Sequence, residues 1–251
     1  MDHYSYLKRL IDIDVESHFF DSIESTSSFL NSLPYSTATQ LCVTREQTQG
    51  RGQHGREWLS EKDGSILLSI GQKFGSDTNL SGLSLVVGLA IIKALERECK
   101  ADGFKIKWPN DIYFREAKLA GILLENNIQE GSQSVIIGVG VNYHLDQEMN
   151  CDNPWIDLSK ICKKIPGIHE LTASIINSIL SMSSHFKLNG LSDLLLQWDQ
   201  YDMLKGVNLK SIEFGKYFEG EVTGITSQGA LKVLTKNGTK ELYSSKNIEY
   251  I

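Results

Sequence analysis

The period of apolar positions changes along the chain, and each change marks a new kind of element. Residues 1–20 read as a lead-in strand or short helix. The hydroxyls of Ser25-Thr26-Ser27-Ser28 predict the N-cap of a short helix ending before Pro34. Leu41-Cys42-Val43-Thr44 predicts a strand, followed by a polar, glycine-rich segment from Arg45 to Glu57. Ser65 to Ile70 reads as another strand. Ser81 predicts the cap of a helix running to about Lys100, with Leu83, Val86, Val87, Ala90, Ala94 and Leu95 on one face. Phe104 to Trp108 and Asp111 to Phe114 are strand-like, broken by Pro109-Asn110. Arg115-Glu116-Ala117 predicts a tight connection into a strand from Lys118 to Glu125, and Ser134 to Val141 a further buried strand. Two helical stretches come next, near 171–187 and 190–201.

The pattern changes again near Lys205. From Val207 short strands alternate with turn signals at Ser227-Gln228-Gly229 and Asn237-Gly238, and the latter dipeptide suits a type I′ hairpin. The expected organisation is therefore a main domain over 1–204 and a small β domain over 205–251. Strand runs mixed with helix runs, without strict βαβα alternation, predict an α+β fold: a mixed central sheet with helices plus a small barrel or half-sandwich. A length of 251 residues suits one large domain and a small one and can build a core without disulfides or metal.

Composition narrows the function. With 25 Lys and Arg against 31 Asp and Glu, the net charge of −6 argues against a general nucleic-acid or membrane-surface binder. Cys42, Cys99, Cys151 and Cys162 form no C-x-x-C pair, so they are expected to be buried or incidental thiols of a reducing cytosol. No H-E-x-x-H or His/Cys cluster predicts zinc. Acidic residues interrupt the N-terminal stretch where a signal peptide needs an apolar run, and Leu85 to Ile92 is too short to span a bilayer. The expectation is a cytoplasmic protein.

Three segments carry chemistry. Gly50-Arg51-Gly52-Gln53-His54-Gly55 matches G-x-G-x-x-G, but five polar residues, Arg45 to Gln49, separate it from the preceding strand, and Arg56-Glu57-Trp58 leads on into an Ile/Leu strand instead of a helix. The dinucleotide reading falls. So do the kinase and P-loop readings, because H-R-D, D-F-G and G-x-x-x-x-G-K-[ST] are all missing. The loop is either an anion cradle, with backbone N–H groups beside Arg51, Arg56 and His54, or a flexible surface turn. Lys107-Trp108-Pro109-Asn110-Asp111 is either a rigid corner that points a carboxylate and an amide into a pocket, to hold a metal or a nucleophile, or an ordinary turn. In a strand Lys118, Ala120 and Ile122 share a face, so Lys118 stands over small, apolar neighbours. It is either an edge lysine reaching solvent or an anion clamp.

Taken together, GRGQHGREW, KWPNDIYF and KLAGILLE resemble the biotin protein ligase family, whose signature runs GRGRxGR with a following Trp, then KWPND, then K-L-x-G-I-L-x-E. Ser25-Thr26-Ser27 is similar to the family's Ser-Thr-Asn segment, Gln47 to the glutamine before the glycine loop, and Gly138-Val139-Gly140-Val141-Asn142 to its G-x-G-x-N strand end. The resemblance covers about residues 20–251 and implies a class II synthetase-like catalytic domain with a C-terminal SH3-like β-barrel. It implies ATP-dependent biotinylation of a lysine on the biotin carboxyl carrier protein of acetyl-CoA carboxylase, through biotinyl-5′-AMP, with ATP, Mg²⁺ and biotin.

By the same resemblance, Lys118, Arg51, Asp111 and Arg56 are the catalytic candidates. Ser25, Thr26, Ser27, Gln47, Arg51, Gly52, Gln53, Lys118 and Gly121 would meet biotin, with Ile122 and Leu123 as wall. Arg56, Trp58, Asn110 and Asn142 would meet the nucleotide. Arg51 and Lys118 are assigned to the carboxylate and α-phosphate. No protein cage for a metal is implied, and Asp111 orients either a nearby Mg²⁺ or the incoming lysine. Bifunctional members carry an N-terminal DNA-binding domain, and the stretch before Ser25 is too short for one, so the expected type is monofunctional, without a nucleic-acid or membrane partner; a homodimer is left open. One departure stands out: Gln53 occupies the place of the family's second loop arginine. The rivals are a lipoate or octanoate ligase of the same superfamily, which should lack the GRG loop and KWPND together, a biotin-sensing regulator without catalysis, and a plain interaction module.

Overall fold

The computed structural model describes residues 3–34, 36–129, 131–146, 154–213 and 216–251. The lead-in is both helix and strand: α1 (His3–Arg9) precedes β1 (Glu16–Phe20). Ser25 caps α2 (Thr26–Ser32), accepting a hydrogen bond from the Ser28 backbone N–H as the hydroxyl cluster predicts. The long β3 (Ser65–Gly75) follows β2 (Gln40–Thr44). After α3 (Leu83–Cys99) come the hairpin strands β4 (Phe104–Lys107) and β5 (Asp111–Phe114), joined through a cis Trp108–Pro109 peptide. Next are β6 (Ala117–Gln129), β7 (Ser132–Asn142), α4 (Ile168–Asn189) and α5 (Leu195–Tyr201).

These seven strands form one mixed sheet in the order β1-β2-β3-β7-β6-β5-β4. Only the β1–β2 pair is parallel. Alternation then divides the faces. Ile66, Leu68 and Ile70 of β3 and Val135, Ile137, Val139 and Val141 of β7 join the main core, under α3 and α4. On the opposite face α2 covers only a patch of Leu30, Cys42 and Ile136. The remainder of that face is left for the site.

Two expectations about α3 change. Its cap is Gly82, not Ser81, because Gly82 takes φ 87°, which glycine alone adopts without strain, while a Cβ there would meet Leu191 at 2.7 Å. The helix is also buried on nearly every side, Leu85, Leu89, Ile91 and Ile92 included. The sheet, α4 and the C-terminal unit together cover more than the single face that periodicity marks.

The C-terminal unit comprises β8 (Asn208–Glu213), β9 (Lys216–Ile225), β10 (Leu231–Thr235), β11 (Gly238–Leu242) and β12 (Ile248–Tyr250). They form an antiparallel sheet ordered β11-β10-β9-β8-β12, whose end strands do not pair with each other. The expected barrel is thus not closed. The β10–β11 turn is centred on Lys236-Asn237, neither of which has positive φ, and Gly238 (φ 107°) opens β11. It is therefore not the predicted type I′ turn, which needs positive φ at both central residues.

The cysteine expectation is also corrected. Cys99, at the end of α3, and Cys162 form a disulfide with Cα atoms 5.0 Å apart. The fold brings together positions 63 residues apart, which spacing in the chain does not reveal. Cys42 is a buried free thiol whose desolvation pushes its pKa up to about 12, and Cys151 lies outside the described residues.

Candidate active site

The open sheet face carries an open cleft of about 480 Å³, mouth included. Its floor consists of small residues: Ser69 on β3, Gly138 and Gly140 on β7, and Gly121 on β6. Ser69 pairs with Gly138, and Gly140 with Gly121, so the floor spans three adjacent strands. The Trp58 indole lies on part of this floor; a Cβ on Gly140 would run into it. At Gly138 a Cβ would meet nothing closer than 3.5 Å. Gly138 thus has room for a Cβ at ordinary contact distance and is not forced by a tight contact within the fold.

Lys118 reaches this face by a different route from the one simple alternation predicts. Ile112 pairs with Ala120 but Tyr113 pairs with Lys118, so Leu119 is an extra residue, a β-bulge. Ala120 and Ile122 point into the main core, whereas Lys118 lines the cleft with Gly121 and Leu123. The expectation that Lys118 shares a face with Ala120 and Ile122 is corrected by that one-residue shift. Its Nζ lies 2.8 Å from Asp111 Oδ1 and 5.6 Å from the Trp58 ring centroid. Its backbone is held by segment 154–156, through Lys118 N–H to Pro154 O (2.9 Å) and Ile156 N–H to Lys118 O (3.0 Å).

The other end of the cleft is polar and neutral. Gln47 Oε1 accepts from the Thr26 backbone N–H (2.8 Å) and from Thr26 Oγ1 (3.0 Å). Thr26 Oγ1 also meets Ser69 Oγ at 2.8 Å, and Ser25 Oγ meets Ser27 Oγ at 3.1 Å. These hydroxyls are almost wholly buried, so their geometry is held by packing as well as by hydrogen bonds.

Gly52, Gln53 and Arg51 line the cleft from the glycine-rich loop. Arg51 and Glu57 form an antiparallel bridge, and His54 adopts a left-handed turn (φ 59°) at the loop tip. Arg56 is exposed and lies outside the cleft lining. The Arg51 guanidinium pairs with Glu125, four residues along β6 from Gly121, or about 13 Å at ~3.3 Å per residue. Sequence reasoning groups Arg51 with Lys118; this structure holds their charged ends apart.

The Lys107–Asp111 corner is tied on both sides. Asn110 Nδ2 donates to Ile122 O (2.9 Å), and Trp108 Nε1 donates to Gly229 O (2.9 Å) of the C-terminal unit. Lys107 Nζ sits 4.6 Å from the Tyr250 ring, and burial lowers its pKa against the opposing pull of Asp111. Asn142 does not line the cleft. Its amide donates to Ile156 O (3.1 Å) and Lys118 O (3.4 Å), bracing the strap that holds Lys118. Ser69, Gly138 and Gly140 line the cleft beyond the residues singled out as binders or wall. Small residues inside otherwise Ile/Val/Leu-rich strands were the available signal.

The chain matches the Biotin/lipoate A/B protein ligase family over residues 19–142 and the Biotin protein ligase C terminal domain over residues 205–246. It is 31% identical over 214 residues to the bifunctional ligase/repressor BirA of Escherichia coli (strain K12), covering 83% of this chain and 66% of that protein. The chain therefore spans about two thirds of that relative's length. It is 39% identical over 102 residues to the biotin–[acetyl-CoA-carboxylase] ligase of Paracoccus denitrificans, covering 40% of this chain and 42% of the relative. The solved biotin protein ligase from Aquifex aeolicus in complex with biotin and ATP has the same fold, with a TM-score of 0.80 and 26% identity over 94% of this chain and 98% of that one. Two family matches in chain order, and a shared fold over nearly the whole length, lead to one conclusion: the chain belongs to the biotin protein ligase family of enzymes.

Proposed function

We propose that this protein joins biotin to a lysine of a biotin carboxyl carrier protein, such as that of acetyl-CoA carboxylase, in the cytoplasm, through biotinyl-5′-AMP. The supporting observation is the cleft itself, with a neutral hydroxyl-and-amide end at Ser25, Thr26 and Gln47, a glycine floor, and the Lys118–Asp111 pair at the other end. That gradient matches biotin: a neutral ureido ring on an apolar body that ends in a carboxylate.

In the first step a carboxylate oxygen of biotin attacks the α-phosphorus of ATP, forming the acyl–phosphate bond and releasing pyrophosphate. Two anions must approach, and Lys118 offsets that repulsion where charge develops. Arg56, exposed on the loop, is proposed to meet the nucleotide as the loop closes, with Trp58 and Asn110 beside it; Asn142 acts through the strap. In the second step the carrier lysine's neutral nitrogen attacks the acyl carbon, AMP departs, and the amine loses a proton. Asp111, once Lys118 turns to the ligand, orients that lysine.

Among the described residues no cluster of three His, Cys, Asp or Glu side chains could hold a metal. Mg²⁺ fits this site as an ion carried on nucleotide phosphates, with Asp111 the one cleft carboxylate near them, and its contribution would be to neutralise phosphate charge.

Incubating the protein with ATP, Mg²⁺ and either biotin or lipoate, and weighing the products, tests the proposal. Biotinyl-AMP is expected; lipoyl-AMP instead, or no adenylate, would refute it.

Transfer from preformed adenylate should accelerate about tenfold per pH unit from 7 to 9, because an ordinary lysine of pKa ≈ 10.4 is almost fully protonated there. Single-turnover rates across that range check this. A flat profile with rate-limiting chemistry would mean the acceptor is deprotonated locally, with Asp111 as candidate base.

Gln53 lines the cleft where the family's second loop arginine is expected. A neutral donor in place of a charged one should release the adenylate roughly 5–30-fold faster, for a deficit of about 1–2 kcal/mol. Gln53→Arg should therefore slow the off-rate of biotinyl-AMP by that factor, as measured by rapid filtration. Equal rates would place Gln53 outside the phosphate's reach.

A further inference from the structure

Glu125 closes the Lys118–Glu125 run and stands on the cleft face of β6 with Gly121 and Leu123, opposite Ile136 of β7. Its Oε1 lies 2.9 Å from Arg51 Nη2, while Oε2 is buried without a hydrogen-bond partner. Arg51 Nη1 also donates to Ser28 Oγ on α2 (3.4 Å). The guanidinium therefore bridges from the glycine-rich loop to α2 and β6, across the end of the cleft remote from Lys118. The base of the loop is fastened by backbone hydrogen bonds, Thr48 N–H to Ile23 O and Gln49 N–H to Glu24 O. Beyond Gln49, Arg51 carries the loop's ion pair to the sheet.

An exposed ion pair contributes little. This one is different on the acid's side: Glu125's side chain is only 20% exposed, and one of its oxygens already lacks a partner. A carboxylate in that position strongly favours keeping the cation it has.

We propose that Glu125 is a positioning residue: it draws the Arg51 side chain across the cleft and so latches the glycine-rich loop over bound biotin. The proposal rests on the reading of the cleft as a biotin site. It gives Arg51 a closing role at the ring end, separate from charge compensation at Lys118.

The test uses the full chain as wild type, Glu125→Gln, Arg51→Ala and the double variant. Biotin affinity and dissociation rate are measured, together with tryptic cleavage after Arg56 with and without biotin. Glu125→Gln is nearly isosteric and is expected to weaken biotin binding about 10-fold, through faster dissociation, by loss of a partly buried charged contact. It should also speed cleavage at Arg56. Arg51→Ala should do the same, and the double variant should be no worse than Arg51→Ala alone, because both changes open one latch. A purely structural glutamate would instead give additive losses. Additive effects, unchanged or tighter binding by Glu125→Gln, or unchanged cleavage in Arg51→Ala would each overturn the latch. Should Glu125→Gln fail to fold, cleavage of Arg51→Ala, altered at an exposed side chain, still decides. If wild type fails to bind biotin, the reading of the cleft fails, and the cleavage rates without biotin judge the latch separately.

Discussion

Lys118→Ala should leave a folded protein that forms biotinyl-AMP at least about 100-fold more slowly, the scale on which removing one preorganised electrostatic donor acts. Lys118 reaches the cleft through a bulge, touches Asp111 at 2.8 Å, and is the cation beside the Gly121 floor. No other lysine or arginine of the cleft lining sits at that end, since Arg51 is held by Glu125. The effect on stability should be small. Both side chains of the Lys118–Asp111 pair are between 20 and 30% exposed, so solvent screens them, and the loss should stay within about 1 kcal/mol. Adenylate yield by mass and a thermal melt separate the two effects. A normal melt with unchanged adenylate formation would remove Lys118 from the chemistry.

Gly138→Val should abolish most biotin binding in a protein that still folds. A Cβ at this position meets only ordinary contacts, with Leu123 O at 3.5 Å and Ser69 Oγ at 3.7 Å, so the backbone tolerates a side chain. Gly138 lies within a strand, where valine is favoured. The added methyls, however, stand on the cleft floor between Ser69 and Leu123. Over-packing a fitted site costs about 1–3 kcal/mol, or roughly 5–150-fold in affinity, and a valine in the middle of the floor should reach the upper part of that range. Calorimetric titration with biotin measures it. Wild-type affinity in the variant would show that the ligand lies elsewhere in the cleft. Gly140→Val is the contrasting control, because there the side chain collides with Trp58 and should destabilise the fold itself.

Much of this protein was legible in its sequence for local reasons. Hydroxyls before an apolar run cap a helix wherever they occur, so Ser25 and α2 could be read directly. The alternations that become β3, β6 and β7 follow from burial on the helix-facing side. The spacing and order of GRGQHGREW, KWPNDIYF and KLAGILLE marked the cleft, since loop, corner and strand all contribute residues to its lining.

Other features depend on contacts between distant segments, and only tertiary structure decided them. Gly82 caps α3 with a left-handed φ, and Leu191, far along the chain, fills the space a Cβ there would take. Cys99 and Cys162 meet because the fold brings the end of α3 beside a position 63 residues further along the chain. The C-terminal strands stay an open sheet because β11 and β12 do not pair, and no local pattern specifies closure. The site shows the same division most clearly. The resemblance carried by the three motifs singled out Lys118, Arg51 and Arg56 as the cations to watch. It could not give their direction. A one-residue bulge at Leu119 turns Lys118 onto the cleft face, and a half-buried carboxylate on β6 draws Arg51 to the opposite end. Residue type is a property of the chain, whereas the face a side chain occupies is set by strand register and by the charge it meets across the fold.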